Sequence, residues 1–396
     1  MKSLGAEALA QHHRGGETGG VGGGVRIFVE FQGAFGQFQG LFGEVGTERG
    51  GLHVGQVSGA FYVRDIHRHD HQGVVHDFDH IGIEFLSGIF VADDVALKGV
   101  LVHHTRTPLA GRAEVVEKCD VVFAALPHGL SQELAAACAK RMKFFIDLGA
   151  DFRLEDEETY KTWYGCEFLD KALHEQAVYG LPELFRPFIR GKSLIANPGC
   201  YATAVPLAIV PAMEAGLIET DHIIADCKSG TTGAGRKPTQ TTHFPDCNES
   251  FTAYKVAAHR HTPEIEQTLS CYAPNPVKLT FVPHLLPVSR GILATCYATL
   301  REGVTEEQVR YVYGRRYQQE YFVRMLPKGS VANIKHVQYT NFCDISVHVD
   351  EHANTLVAIS AIDNMVKGAA GQAIQNMNLV LGLEEKTGLT LIPPAF

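Results

Sequence analysis

Hydrophobic and polar positions fall into a readable rhythm only from about residue 113 onward. Cys119 to Leu126 is a near-continuous apolar run, as expected of a strand buried on both faces of a parallel sheet. Pro127, His128 and Gly129 then turn the chain. Ser131 precedes a helical pattern at Leu134, Ala135 and Cys138, where it would act as N-cap. Phe144 to Leu148 reads as the next strand, so strand, helix and strand form a βαβ unit. Tyr160 to Glu183, rich in aromatics and turn residues, reads as a surface excursion. Ser193 to Ala196 is a further apolar run, followed by Asn197-Pro198-Gly199-Cys200 and a helical stretch over Tyr201 to Ala215. His222 to Asp226, Lys278 to Val282, Gly291 to Leu300 and Asp344 to Val349 read as strands, the last three of one mixed or antiparallel sheet. Lys367 to Leu381 reads as the last helix. The pattern predicts an α/β protein: a doubly wound, Rossmann-like domain, then an α+β domain.

The first part of the chain differs. Residues 1–112 hold 22 of the 40 glycines and 10 of the 20 histidines but no cysteine and one proline, Pro108, so a boundary falls near 112. Val25 to Phe31 alternates as a short strand would, and Ile83 to Val91 is apolar enough for another. The cluster Gly19-Gly20-Val21-Gly22-Gly23-Gly24 precedes that strand and lacks the G-x-G-x-x-G spacing, so it reads as a linker or tail. His67, His69 and His71, with His76 and His80, lack the companions of a metal site and read as a solvated stretch.

Composition narrows the class. With 45% hydrophobic and 20% charged residues the chain reads as soluble and globular. A net charge of −9 argues against nucleic-acid or anionic-membrane surfaces. No apolar run approaches the ~20 residues of a membrane span. The N-terminus lacks a signal-peptide pattern. Nine cysteines without a CxxC pair suit neither a disulfide framework nor zinc, so a reducing cytoplasm is the expected location.

The candidate chemistry gathers at Cys200, at a strand-to-helix junction. Unpaired N–H groups at a helix start favour a thiolate, the nucleophilic form. Gly199 gives the turn room and Pro198 fixes its approach. Ligands in such sheets sit beyond the carboxyl ends of the strands, so Pro127-His128-Gly129 is either a ligand contact or an ordinary turn. Ser229-Gly230-Thr231-Thr232-Gly233-Ala234-Gly235, with Arg236 and Lys237, suits a phosphate or carboxylate. Thr262 can cap a helix with Pro263 in its first position, leaving His261 just outside, where it can move protons.

Seven ordered segments carry a family resemblance: Phe123 to Gly129, Asp147 to Arg153, Tyr179 to Glu183, Asn197 to Tyr201, Ser229 to Arg236, His259 to Ile265 and Asp363 to Gln372. Across residues 113–396 the chain resembles the N-acetyl-gamma-glutamyl-phosphate reductases, relatives of the aspartate-semialdehyde and glyceraldehyde-phosphate dehydrogenases. The resemblance implies NADP-dependent reductive dephosphorylation of N-acetyl-L-glutamyl 5-phosphate to its semialdehyde, a step of arginine biosynthesis, and a homodimer or homotetramer. It implies a nucleophilic Cys200 and an acid–base His261, with His259 the competing assignment. Arg236, with His259 and Glu264, would meet the substrate. Pro127, His128, Gly129, Ser229, Gly230 and Asn364 would line the nicotinamide side. Implied boundaries are 113–198 for the rest of the nucleotide-binding domain, 199–360 for the catalytic and oligomerisation domain, and 361–396 for a helix returning to the first. Residues 1–112 contain nothing like the Gly-x-Thr-Gly-Tyr-type turn with which the family opens. Their composition points to a coding stretch read in another frame or strand. The rival expectations are a sibling reductase of aspartyl or carrier-linked aminoadipyl phosphate, an inactive chain without a cofactor domain, and a cysteine hydrolase.

Overall fold

The computed structural model describes residues 27–31, 55–57, 60–62, 100–104, 116–117, 119–235 and 239–394. The expected strand at Ile83 to Val91, the Gly19–Gly24 cluster and the histidines from His67 to His80 lie outside them.

Two sheets organise the described chain. The first has six strands in the spatial order Val100–His104, Ile27–Phe31, Val121–Ala125, Phe144–Asp147, Leu194–Ala196 and Val178–Tyr179, with every neighbouring pair parallel. The alternation within Val121–Ala125 explains why the sheet is covered on both sides. Val122 and Ala124 pack with Leu134, Ala135 and Cys138 of the helix Ser131–Lys140. Val121 and Phe123 pack with Ile374 and Met377 of the helix Gly371–Val380. The chain's last helix therefore lies on the first sheet.

The second sheet has seven strands: Thr252–Ala253, Leu279–Leu285, Ile223–Ser229, Ile292–Thr299, Thr355–Ile362, Cys343–Asp350 and Val323–Met325. It is mixed, because Leu279–Leu285 runs parallel to Ile223–Ser229 while Ile292–Thr299 runs antiparallel to it. Along Ile223–Ser229 burial alternates, with Ile223, Ala225 and Cys227 on the covered face and Ile224, Asp226 and Lys228 half-buried on the other.

The covered face holds the helix Cys200–Glu214, buried at every position from Tyr201 to Met213. Two prolines stand inside it. Pro211 has no N–H for the carbonyl of Leu207, and an unpaired buried carbonyl is costly. The hydroxyl of Tyr317 donates to that carbonyl at 2.6 Å, and Tyr313 donates to the next one, of Ala208, at 2.6 Å.

Several expectations shift. Ser131 opens its helix rather than capping it, and the Asp151 carboxylate accepts from its N–H and hydroxyl instead. The stretch Tyr160 to Glu183 is a surface excursion only in part: residues 161–172 are exposed or half-buried, and the chain turns inward by Gly180. The stretch contains the strand Val178–Tyr179, the short helix Lys171–His174 and parts of two longer helices, and both Tyr160 and Glu183 are buried. A turn-rich composition concealed that burial because Tyr160 donates to Asp151 and Glu183 pairs with the buried Lys367. The closing helix is shorter at its start, with a π-helical turn over Val366–Ala370 before Gly371.

Candidate active site

Cys200 is the first residue of its helix, with Gly199 as N-cap. A side chain on Gly199 would stand 2.5 Å from Nε2 of His261 and 2.9 Å from Nη1 of Arg153, so only glycine lets those groups close on the turn. The fully buried carboxylate of Glu264 accepts the Gly199 N–H at 2.8 Å and the Tyr179 hydroxyl at 2.8 Å. Its other oxygen faces Arg153 Nη1 at 3.4 Å. Arg153 also donates to the carbonyls of Asn197 at 2.8 Å and Leu148 at 2.7 Å. From the opposite side Asn197 donates to the Ala369 carbonyl at 3.1 Å and accepts from Asn376 at 3.1 Å. Gly368 packs so closely that a side chain there would stand 2.7 Å from Cys200 Cβ. The turn that leads into Cys200 is thus clamped between a buried ion pair and the chain's closing helix.

The helix Glu264 belongs to begins at His261 itself, with Thr262 and Pro263 inside its first turn. The expected cap at Thr262 is absent: its hydroxyl is buried without a partner. The His261 N–H donates to Nδ1 of His259 at 3.0 Å. The His259 ring is enclosed edge-to-face by Tyr201, Tyr254 and Phe281. Burial, then the charge of His261, lowers His259 to about 3. Burial, then Arg153, lowers His261 to about 3. Both rings are therefore neutral near pH 7. Neutral His259, with Nδ1 accepting, carries its proton on Nε2.

The electrostatics of Cys200 reverse the expectation of a resting thiolate. Burial pushes the thiol up to about 11, against the opposing pull of the Tyr201 N–H and Arg153. Desolvation outweighs the helix terminus, whose effect is modest. Cys200 is thus a thiol, in a cleft that also holds the neutral His261 imidazole.

These groups open on a cleft of about 620 Å³. One wall carries Leu126, His128 and Gly149, at the carboxyl ends of the parallel strands. Another carries Ser229, Gly230 and Gly233, and a third Tyr254, Lys255, His259 and Arg260. Arg260 reaches Nε2 of His128 at 2.8 Å, joining two walls. Gly129, with φ of +86°, donates its N–H to Asp151 at 2.6 Å, while Pro127 is exposed. Asn364 is buried, accepting from the Gly291 N–H at 2.8 Å and donating to Thr232 at 2.9 Å, so it ties down the glycine loop. Glu264, expected to meet the substrate, lies beneath the surface with both oxygens engaged. Arg236 lies outside the described residues.

Residues 101–191 match the semialdehyde dehydrogenase NAD binding domain, and residues 200–364 the semialdehyde dehydrogenase dimerisation domain. N-acetyl-gamma-glutamyl-phosphate reductase of Clostridium beijerinckii is 54% identical over 283 residues, spanning 72% of this chain and 82% of that protein. The chain belongs to the N-acetyl-gamma-glutamyl-phosphate reductase family. The reductase of Brachyspira hyodysenteriae is 52% identical over 291 residues, 72% of this chain and 83% of the relative. Among solved structures, aspartate semialdehyde dehydrogenase II of Vibrio cholerae, complexed with ASA, superposes with a TM-score of 0.59 at 13% identity. It covers 91% of this chain and 99% of its own, so the fold is shared. Family membership makes the chain an oxidoreductase with a nicotinamide-cofactor domain, and no described helix is long and apolar enough to cross a membrane.

Residue-level reading did not single out Arg153, Asp151 or Lys255. Arg153 and Asp151 stood in a quoted segment, Asp147 to Arg153, but only three-dimensional proximity links them to Cys200 and His128.

Proposed function

We propose that this chain reduces N-acetyl-L-glutamyl 5-phosphate to N-acetyl-L-glutamate 5-semialdehyde with NADPH, through a thioester on Cys200. One observation carries the substrate reading. The described residues lining the cleft include the cations Arg153, Lys255 and Arg260 and no carboxylate. An acyl phosphate with a second, free carboxylate complements that charge. A free α-ammonium, as on aspartyl phosphate, would find no counter-charge and would be desolvated beside cations. An N-acylated amine is neutral, which favours the acetylglutamyl substrate over the aspartyl one.

The residues divide the work. Arg153, beside Gly199, attracts the phosphate at the reacting end, and we assign Arg236 to the substrate's phosphate or carboxylate. Its dianion brings negative charge to His261 and offsets the neighbours that hold that ring neutral. Nε2 of His261 then takes the Cys200 proton as sulfur attacks the acyl carbon. The C–O bond to phosphate breaks, and the proton leaves with the phosphate. His261 is preferred to His259 because Nδ1 of His259 is spent on a backbone N–H. NADPH, when bound, supplies hydride to the thioester carbon. The thiolate then departs from that carbon as aldehyde forms, and takes a proton from solvent to restore the thiol.

The cofactor's nicotinamide end fits the strand ends at Leu126, His128 and Gly149 facing Ser229 and Gly230, where ligands of doubly wound sheets sit. Pro127 and Gly129 shape that wall, and Asn364 steadies the opposite loop. We assign 113–198 to the nucleotide side, 199–360 to catalysis and self-association, and 361–396 to the returning helix. The half-buried face of the second sheet suits a homodimer or homotetramer, in the cytoplasm. Comparing N-acetylglutamate semialdehyde with aspartate semialdehyde, and NADP with NAD, in the phosphate-dependent reverse reaction tests this reading. Preference for the aspartyl compound would overturn it.

A further inference from the structure

The cleft's three described cations stand in different places. Arg153 is buried beneath the nucleophile turn, locked by Glu264 and two carbonyls. Arg260 holds the His128 ring, and its guanidinium lies 5.5 Å from the Tyr164 ring centre. Lys255 differs from both: no described carboxylate forms an ion pair with it, and it is exposed at the cleft wall.

The backbone there is also unusual. Lys255 has φ of +44° and Ala257 φ of +54°, the left-handed region that costs a side-chain-bearing residue of order 1 kcal/mol. Neither is glycine, asparagine or aspartate, the residues that enter that region readily. The strained bend follows Tyr254, whose hydroxyl meets that of Tyr201 at 3.0 Å, and precedes His259. It is therefore anchored at both ends to side chains around the nucleophile. Both left-handed residues fall within one five-residue bend, and that bend delivers the Lys255 ammonium to the cleft.

Resting on the reading above, we propose that Lys255 is the specificity-determining residue that pairs with the substrate's non-reacting carboxylate. Arg153 serves the phosphate end, so a short aliphatic chain bearing one anion at each end spans the two cations. Arg260, committed to His128, orients the wall between them. Lys255 does no chemistry; it decides which acyl phosphates are held in line with Cys200. A substrate lacking that carboxylate loses the ion pair and strands no buried group in the protein, since Lys255 returns to water. Discrimination therefore shows as weaker binding rather than slower chemistry.

The test compares wild type with Lys255→Met, using N-acetylglutamate 5-semialdehyde and its α-carboxamide analogue. Two readouts are taken: protection of Cys200 from iodoacetamide without cofactor, and phosphate-dependent turnover. Wild type should need about 10- to 100-fold more carboxamide than carboxylate for half-protection, the range of one charged contact. Lys255→Met should treat both alike, with KM for the carboxylate raised to match and kcat nearly unchanged. An exposed position makes the variant foldable, and Lys255→Arg should restore much of the preference. A Lys255→Met protein that still prefers the carboxylate as strongly as wild type overturns the assignment. Failure of the semialdehyde to protect wild-type Cys200 at all overturns the acyl-phosphate reading, and the Lys255 proposal with it.

Discussion

The Glu264 carboxylate accepts the backbone N–H of Gly199 at 2.8 Å, one residue before Cys200, while its other oxygen faces Arg153. A single buried acid thus fixes the turn before Cys200 and pairs the cation beside that turn. Glu264→Gln keeps an acceptor for Gly199 but removes the charge. Loss of one partner of a buried pair costs about 3–5 kcal/mol. Urea unfolding should show that loss, and kcat should fall by about a hundredfold, as misplacing a reacting group does. Unchanged kcat with lowered stability would limit Glu264 to a structural role.

The raised thiol makes a prediction opposite to that of a resting thiolate. Iodoacetamide modification of Cys200, followed by mass spectrometry, should accelerate steadily from pH 7 to 10, because burial pushes the thiol up to about 11. A rate that levels off near pH 7 would mean that the helix terminus prevails over desolvation.

His259 and His261 give stability its acid limb. Burial holds both at about 3 in the native protein, against the ordinary imidazole value of about 6.5. Between those values the unfolded chain binds protons that the native one excludes, so stability falls as pH drops below 6.5. The slope contributed by each is at most about 1.4 kcal/mol per pH unit. Replacing both with glutamine should flatten urea midpoints measured from pH 7 to 5. An equally steep dependence in the double variant would assign that limb to other groups.

Much of this architecture was legible in the chain. Strands at Val121–Ala125, Phe144–Asp147 and Ile292–Thr299 stood out as apolar runs, and the strand expected at Val25 to Phe31 is present as Ile27–Phe31 in the parallel sheet. Cys200 was legible from its glycine turn. Less legible were features that depend on partners distant in sequence. Asp151 replaces the cap that Ser131 was expected to supply, and Arg153 reaches Glu264 across 111 positions. Burial, too, is a three-dimensional quantity: local sequence gives the helix terminus at Cys200 but not the desolvation that opposes it.

Two substitutions separate packing at the site from packing beneath it. Gly368→Ala would place a methyl 2.7 Å from Cys200 Cβ, so overpacking should cost about 1–3 kcal/mol and depress activity sharply. Tyr317→Phe leaves the Leu207 carbonyl, already deprived of a donor by Pro211, unpaired. It should cost about 1–3 kcal/mol of stability and leave KM and kcat near wild type. Thermal unfolding beside steady-state kinetics distinguishes them. Equal activity losses in both would contradict the division.

The central claim is that Cys200 carries the acyl group between phosphate and the reduced product. The most direct measurement is reduction of NADP by N-acetylglutamate 5-semialdehyde, with and without inorganic phosphate, in wild type and Cys200→Ala. We expect phosphate-dependent reduction by wild type and none by the folded variant. Reduction that ignores phosphate, survives in Cys200→Ala, or is absent from both proteins would contradict the account.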